Sequence, residues 1–295
     1  MAEKRKVIIK RDRKSGFCFG VNRAIEMAES NLTKNNTIVS LGDIVHNDTE
    51  INRLNKMGMK SVPEGEVEKI EEKKVLFRAH GEPPESYKKA KKRGLTIVDA
   101  TCPVVLKLQQ RVKIAWQQME QENGQVVIFG QIGHAEIKGL LGHTNNKAII
   151  VENEADIKKL NPKKRTILFS QTTKSYTDLE IITEKIKAHL NSEELLTMHN
   201  TICAQVGNRI PHLKKFAAFY DIIIFVAGSQ SSNGKVLYEV CKKNNKESYL
   251  ISNPNDIKKE WFTPRPHSIG ICGATSTPHW LMKKTEEYLN DLLNE

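Results

Sequence analysis

Short apolar runs alternate along this chain with longer stretches in which apolar side chains recur every three or four positions. The first pattern marks strands buried on both faces, the second amphipathic helices. Strands are expected at 6–10, 37–41, 75–77, 95–98, 126–129, 148–151, 167–169, 195–200, 221–226 and 269–271. Val21, Ala24, Ile25, Ala28 and Leu32 form one helical stripe, Ile51, Leu54 and Met57 a second, and Val105, Leu108, Val112, Ala115 and Met119 a third. Further helices are expected at 85–93, 156–160 (short), 178–190, 235–244 and 278–293, with Glu64 to Glu72 as an acidic surface connection. Strands alternating with helices predict parallel sheets.

Three strands run into a cysteine at the mouth of a helix: Gly16-Phe17-Cys18, Asp99-Ala100-Thr101-Cys102-Pro103 and Thr201-Ile202-Cys203. His46, His134 and Ser231 follow their cysteines by 28, 32 and 28 residues, and His80, Thr172 and Ser276 follow by 62, 70 and 73. This recurrence predicts three pseudo-equivalent α/β units, 1–101, 102–202 and 203–295, with strand 6–11 available to the third. They would form a trefoil of parallel-rich sheets bringing three cysteines and six polar strand ends to one axis. The third unit is less regular, since Gly207 and Pro211 fall just after Cys203. Its helix therefore begins near Pro211 or is kinked there.

Composition narrows the setting. The 295 residues are 39% hydrophobic and 27% charged, no stretch approaches the length of a membrane span, and the N-terminus lacks the apolar region of a signal peptide, so a cytoplasmic protein off the membrane is expected. Five cysteines, odd and sparse, argue against a disulfide framework. A net charge of +11 favours an anionic partner, although lysine runs such as 88–93 read equally well as solvated helix faces. Aromatics interleaved with basic residues on strands are missing, so nucleic acid is not the expected partner.

A single cysteine is most often a small buried hydrophobe, but three at equivalent strand ends can hold a [4Fe–4S] cluster by three irons and leave the fourth open. The same cysteines with one histidine could instead close a tetrahedral zinc site. Cys18 at a helix N-terminus sits where a thiolate is favoured. Cys241 and Cys272 read as core residues. His46, His80, His134, Ser231, Ser232, Asn233 and Ser276 supply hydrogen-bond donors suited to a diphosphate. Glu136 is the carboxylate placed to relay protons, with Thr172 to align it.

Gly16-Phe17-Cys18, Val45-His46-Asn47, Arg78-Ala79-His80-Gly81, Asp99-Ala100-Thr101-Cys102-Pro103, Gly133-His134-Ala135-Glu136, Gln171-Thr172-Thr173, Ser231-Ser232-Asn233 and Ser276-Thr277-Pro278 together resemble, from end to end, the LytB family of 4-hydroxy-3-methylbut-2-enyl diphosphate reductases of the non-mevalonate isoprenoid pathway. The resemblance implies that Cys18, Cys102 and Cys203 hold a [4Fe–4S] cluster at the centre of the trefoil. It implies that His46, His80, His134, Ser231, Ser232, Asn233 and Ser276 bind the diphosphate with Thr173 nearby, while Glu136 and Thr172 deliver protons. Electrons would come from a ferredoxin or flavodoxin, and the products would be isopentenyl and dimethylallyl diphosphate. Gln205, Val206, Ile210, Pro211, Gln230, Gly234, Cys272 and Thr275 depart from the family's pattern, which leaves open a paralogue reducing a different allylic or phosphorylated substrate.

Overall fold

The computed structural model describes residues 6–32, 37–229 and 231–294. In chain order the elements are β1 (Ile8–Arg11), α1 (Phe19–Asn31), β2 (Val39–Leu41), α2 (Asp48–Lys56), β3 (Lys60–Val62), β4 (Lys74–Phe77), α3 (Pro84–Lys92), β5 (Thr96–Asp99), α4 (Pro103–Gln121), β6 (Gln125–Phe129), α5 (Ala135–Gly142), β7 (Ile149–Val151), β8 (Thr166–Ser170), α6 (Tyr176–His189), β9 (Leu196–Met198), α7 (Ala204–Gly207), α8 (Arg209–Phe219), β10 (Ile222–Val226), α9 (Ser232–Asn244), β11 (Ser248–Ile251), β12 (Ser268–Gly273) and α10 (His279–Asn294). Short 3-10 turns fill several connections; one of them, Glu154–Lys159, takes the place of the helix expected at 156–160.

The strands form three four-stranded sheets ordered β3-β2-β4-β5, β7-β6-β8-β9 and β1-β12-β10-β11, with every pairing parallel. One topology is thus used three times, and the N-terminal strand closes the third sheet by pairing Ile8 with Ser268 and Arg11 with Ile271. The sheets belong to two compact units. One comprises residues 1–22, 44–58 and 208–295 and carries the third sheet; the other comprises 23–43 and 59–207 and carries the first two.

Burial on both faces explains the unbroken apolar runs. Ile222, Ile224 and Val226 of β10 pack with Val7, Ile269 and Leu281 on one side, whereas Ile223 and Phe225 pack with Leu213, Leu237 and Cys241 on the other. In β6, Val126 and Ile128 face Val112 and Met119 while Val127 and Phe129 face Ile182 and Ile186. Lys60–Val62 escaped the pattern because it is a three-residue polar edge, exposed or half-buried throughout. A turn at Asn208 separates α7 from α8, so this helix begins near Pro211, at Arg209, the first of the two expected alternatives. Pro211 is the third residue of α8, in the first turn, where its missing N–H has no helical partner to lose.

Candidate active site

Each cysteine occupies the same local geometry. Its carbonyl accepts the first helical hydrogen bond, from Asn22 N for Cys18, Leu106 N for Cys102 and Gly207 N for Cys203, all at 2.9 Å. Its N–H donates to the carbonyl of a neighbouring strand end: Cys18 to Thr275 (3.3 Å), Cys102 to Ala79 (3.1 Å) and Cys203 to Thr172 (2.8 Å). By this criterion the residues following those carbonyls correspond, namely Ser276, His80 and Thr173. The sequence spacing had instead aligned Thr172 with His80, one residue early, because loop lengths differ between the units. All three thiols are half-buried and free of disulfides, whereas Cys241 and Cys272 are fully buried core neighbours with sulfurs 3.8 Å apart.

Local hydrogen bonds build these turns. Asp99 accepts from Thr101 N (2.9 Å), Thr101 Oγ1 (2.6 Å) and Tyr87 OH (2.8 Å), which folds the chain into Cys102. Before Cys203, Thr201 Oγ1 donates to Ser170 O at 2.6 Å and accepts from Ser170 N at 2.8 Å. Before Cys18, Gly16 takes φ +100°, and a Cβ there would lie 2.9 Å from His279 and Met282. The carbonyl of Gly16 accepts from the guanidinium of Arg209, itself only 9% exposed, at 3.0 Å. Sequence reasoning had no means of finding that role, since 193 residues separate the two.

Glu136, 2% exposed, lies in the first turn of α5, where its N–H donates to Nδ1 of His134, the capping residue, at 3.1 Å. Nδ1 is therefore an acceptor, and a neutral His134 carries its proton on Nε2. The rings of His80 and His134 meet edge to face with centroids 5.5 Å apart. Glu136 accepts from Thr172 N (2.7 Å) and Thr172 Oγ1 (2.6 Å). Burial pushes its pKa up to about 7, with the two bonds from Thr172 holding it back. Gln171 extends the network: its Oε1 accepts from Gln131 N and its Nε2 donates to Thr173 Oγ1, both at 2.9 Å. With one lone pair of Thr173 filled, its hydroxyl proton remains to donate elsewhere.

The unit built on the third sheet holds a second group of predicted residues. Ser231 caps α9, its Oγ accepting from Gly234 N at 3.0 Å, and lies 2.9 Å from Ser276 Oγ. Asn233 Oδ1 accepts from Thr275 N (3.2 Å) and Thr275 Oγ1 (2.9 Å). A helix N-terminus ringed by hydroxyls and an amide favours an anion. His46 precedes Asn47, the cap of α2, which accepts from Glu50 N at 3.1 Å. The backbone of His46 passes so close to Gly228 that a Cβ on the glycine would sit 2.5 Å from its carbonyl oxygen. Gln230 and the side chain of Ser232 lie outside the described residues.

Residues 9–290 match the family model described as LytB protein. A 4-hydroxy-3-methylbut-2-enyl diphosphate reductase from Bacteroides thetaiotaomicron is 48% identical over 284 residues, covering 96% of this chain and 98% of the relative. One of the same name from Phocaeicola vulgatus is 49% identical over 290 residues, covering 98% and 99%. Among solved structures, an (E)-4-hydroxy-3-methyl-but-2-enyl diphosphate reductase described as the terminal enzyme of the non-mevalonate pathway aligns with TM-score 0.71 at 32% identity, covering 97% of this chain and 99% of that one. An E-1-hydroxy-2-methyl-but-2-enyl-4-diphosphate reductase from Plasmodium falciparum aligns with TM-score 0.81 at 29% identity, covering 97% and 88%. Among the described residues, no helix is long and apolar enough to cross a membrane.

Proposed function

The chain belongs to the LytB family, and from that membership we infer that it is an oxidoreductase of the non-mevalonate pathway, removing the allylic hydroxyl of 4-hydroxy-3-methylbut-2-enyl diphosphate. The reaction consumes two electrons and two protons: the C–O bond breaks, the hydroxyl leaves as water, and one proton is added to carbon to give isopentenyl or dimethylallyl diphosphate. Relatives 48% and 49% identical over nearly their whole length carry the reductase name, which favours this substrate over a paralogue's.

Enzymes of this family carry an iron–sulfur cluster, and in our reading it is a [4Fe–4S] cluster on Cys18, Cys102 and Cys203. Three half-buried thiols, each at a helix start with its backbone pinned, suit that group. When bound, it supplies electrons and an open iron position for the substrate oxygen. The chain's own residues do the rest. His46, His80, His134, Ser231, Ser232, Asn233 and Ser276 anchor the diphosphate, and Thr173 adds its hydroxyl. A cytoplasmic ferredoxin or flavodoxin delivers the electrons.

The observation that carries this reading is Glu136, a buried carboxyl whose pKa burial pushes up to about 7, so that a protonated fraction is there to give its proton at neutral pH. Thr172 fixes both of its oxygens. The direct test is an anaerobic assay in which dithionite-reduced viologen is the electron source and 4-hydroxy-3-methylbut-2-enyl diphosphate the substrate. Dye oxidation is expected, together with a broad visible iron–sulfur band that disappears when Cys18, Cys102 or Cys203 becomes serine. An intact band with no dye consumed would leave a paralogue's substrate as the answer, and stoichiometric zinc in place of iron would end the reading.

A further inference from the structure

Thr275 is held at three points. Its carbonyl accepts the N–H of Cys18 at 3.3 Å, and its own N–H and Oγ1 donate to Asn233 Oδ1 at 3.2 and 2.9 Å. It is 7% exposed, while Asn233 is half-buried at the start of α9. An amide oxygen has two lone pairs, so two donors exhaust it. What Asn233 has left is its NH₂ group with two donors. Flipping the amide would bring that group against the two donors of Thr275 and present an acceptor to the anion.

We propose that Thr275 is a positioning residue that locks the Asn233 amide with its donors toward the diphosphate, in fixed register with the Cys18 turn. The inference rests on the proposed diphosphate substrate. Ser231 and Ser276 follow the same logic: Gly234 N donates to Ser231 Oγ, Ser231 can then donate to Ser276, and the proton of Ser276 remains for the anion. Bonds made within the protein fill the acceptors and leave donors outward. That polarity selects an oxyanion over a neutral or cationic group of the same size.

The hydroxyl of Thr275 supplies one of the two bonds, and the backbone N–H remains in any variant. Thr275→Val keeps the volume and branching but loses the donor, whereas Thr275→Ser keeps the donor. Inorganic diphosphate serves as the probe, titrated calorimetrically into the cluster-loaded protein. Thr275→Val should weaken binding by about five- to tenfold, as expected for one lost hydrogen bond, with Thr275→Ser staying within about twofold of wild type. In an Asn233→Ala background, Thr275→Val should cost nothing more, because there is no amide left to orient. In turnover, KM should rise with kcat nearly unchanged. Thr275→Ala, judged by the same titration and against the same Asn233→Ala background, covers the case in which the valine variant does not fold. Wild type that fails to bind inorganic diphosphate would remove the substrate reading and this proposal with it. Wild type that binds, with valine and alanine variants binding equally well or losing as much in the Asn233→Ala background, overturns the role of Thr275 alone.

Discussion

A carboxyl that accepts two neutral hydrogen bonds and is 2% exposed is caught between opposing effects, and at Glu136 burial wins, taking its pKa to about 7. In the role of proton donor proposed for it the carboxyl must be protonated, so kcat should fall about tenfold per pH unit above that value. Glu136→Gln should bind diphosphate as wild type does and lose about a hundredfold or more in kcat. Stability shifts in the same window. Between the ordinary carboxyl value of 4.5 and about 7 the folded chain keeps a proton that the unfolded chain has released, so stability falls as pH rises through that range and levels off above it. Thermal melts of the glutamine variant across this range should lack that component. Thr172→Val removes a bond that lowers the Glu136 pKa, so the alkaline limb of its kcat profile should move to higher pH; a limb that stays in place would separate Thr172 from the titration.

At the scale of elements, close packing of backbone fixes where the polar strand ends lie. Gly228 touches the His46 carbonyl so closely that an alanine methyl must displace the turn entering α2. Gly228→Ala should therefore lower unfolding free energy by about 1–3 kcal/mol in denaturant titrations and raise KM through His46. Most strands and helices were legible because burial on both faces or along one stripe leaves a period in the sequence, and the cysteine turns were legible because strand, cysteine and helix are contiguous. Four things were not. Lys60–Val62 has no apolar period, Ser248–Ile251 is a four-residue edge strand flanked by polar residues, and the eight-residue helix Ala135–Gly142 is too short to show a stripe. The equivalence of Thr173 with His80 and Ser276 depends on hydrogen bonds between strands that are distant in sequence. The candidate residues themselves were readable, but their orientation was not: the roles of Gln171, Thr275 and Arg209 are properties of contacts, and two of those contacts span 193 and 42 residues.

Over the whole molecule the decisive quantity is charge. Lysine and arginine number 46 against 35 acidic residues, a formal +11, and pairs such as Lys89–Glu68 and Lys138–Glu64 neutralise only part of the basic surface. A field of that sign accelerates encounter with an acidic partner and is screened within about 10 Å at 0.1 M salt. The chain must take two electrons per turnover from outside, and small acidic redox proteins such as ferredoxin or flavodoxin would be drawn to this surface. A small viologen dye carries its own positive charge and gains nothing from such steering. Raising salt from about 0.05 to 0.5 M should therefore slow donor-driven turnover at limiting donor by about tenfold or more, chiefly through the association rate, while dye-driven turnover holds steady or rises. In the proposed mechanism the two assays share substrate, cluster and proton donor, so a parallel decline in both would trace the salt effect to diphosphate anchoring. A decline confined to the protein donor would assign the excess positive charge to electron delivery.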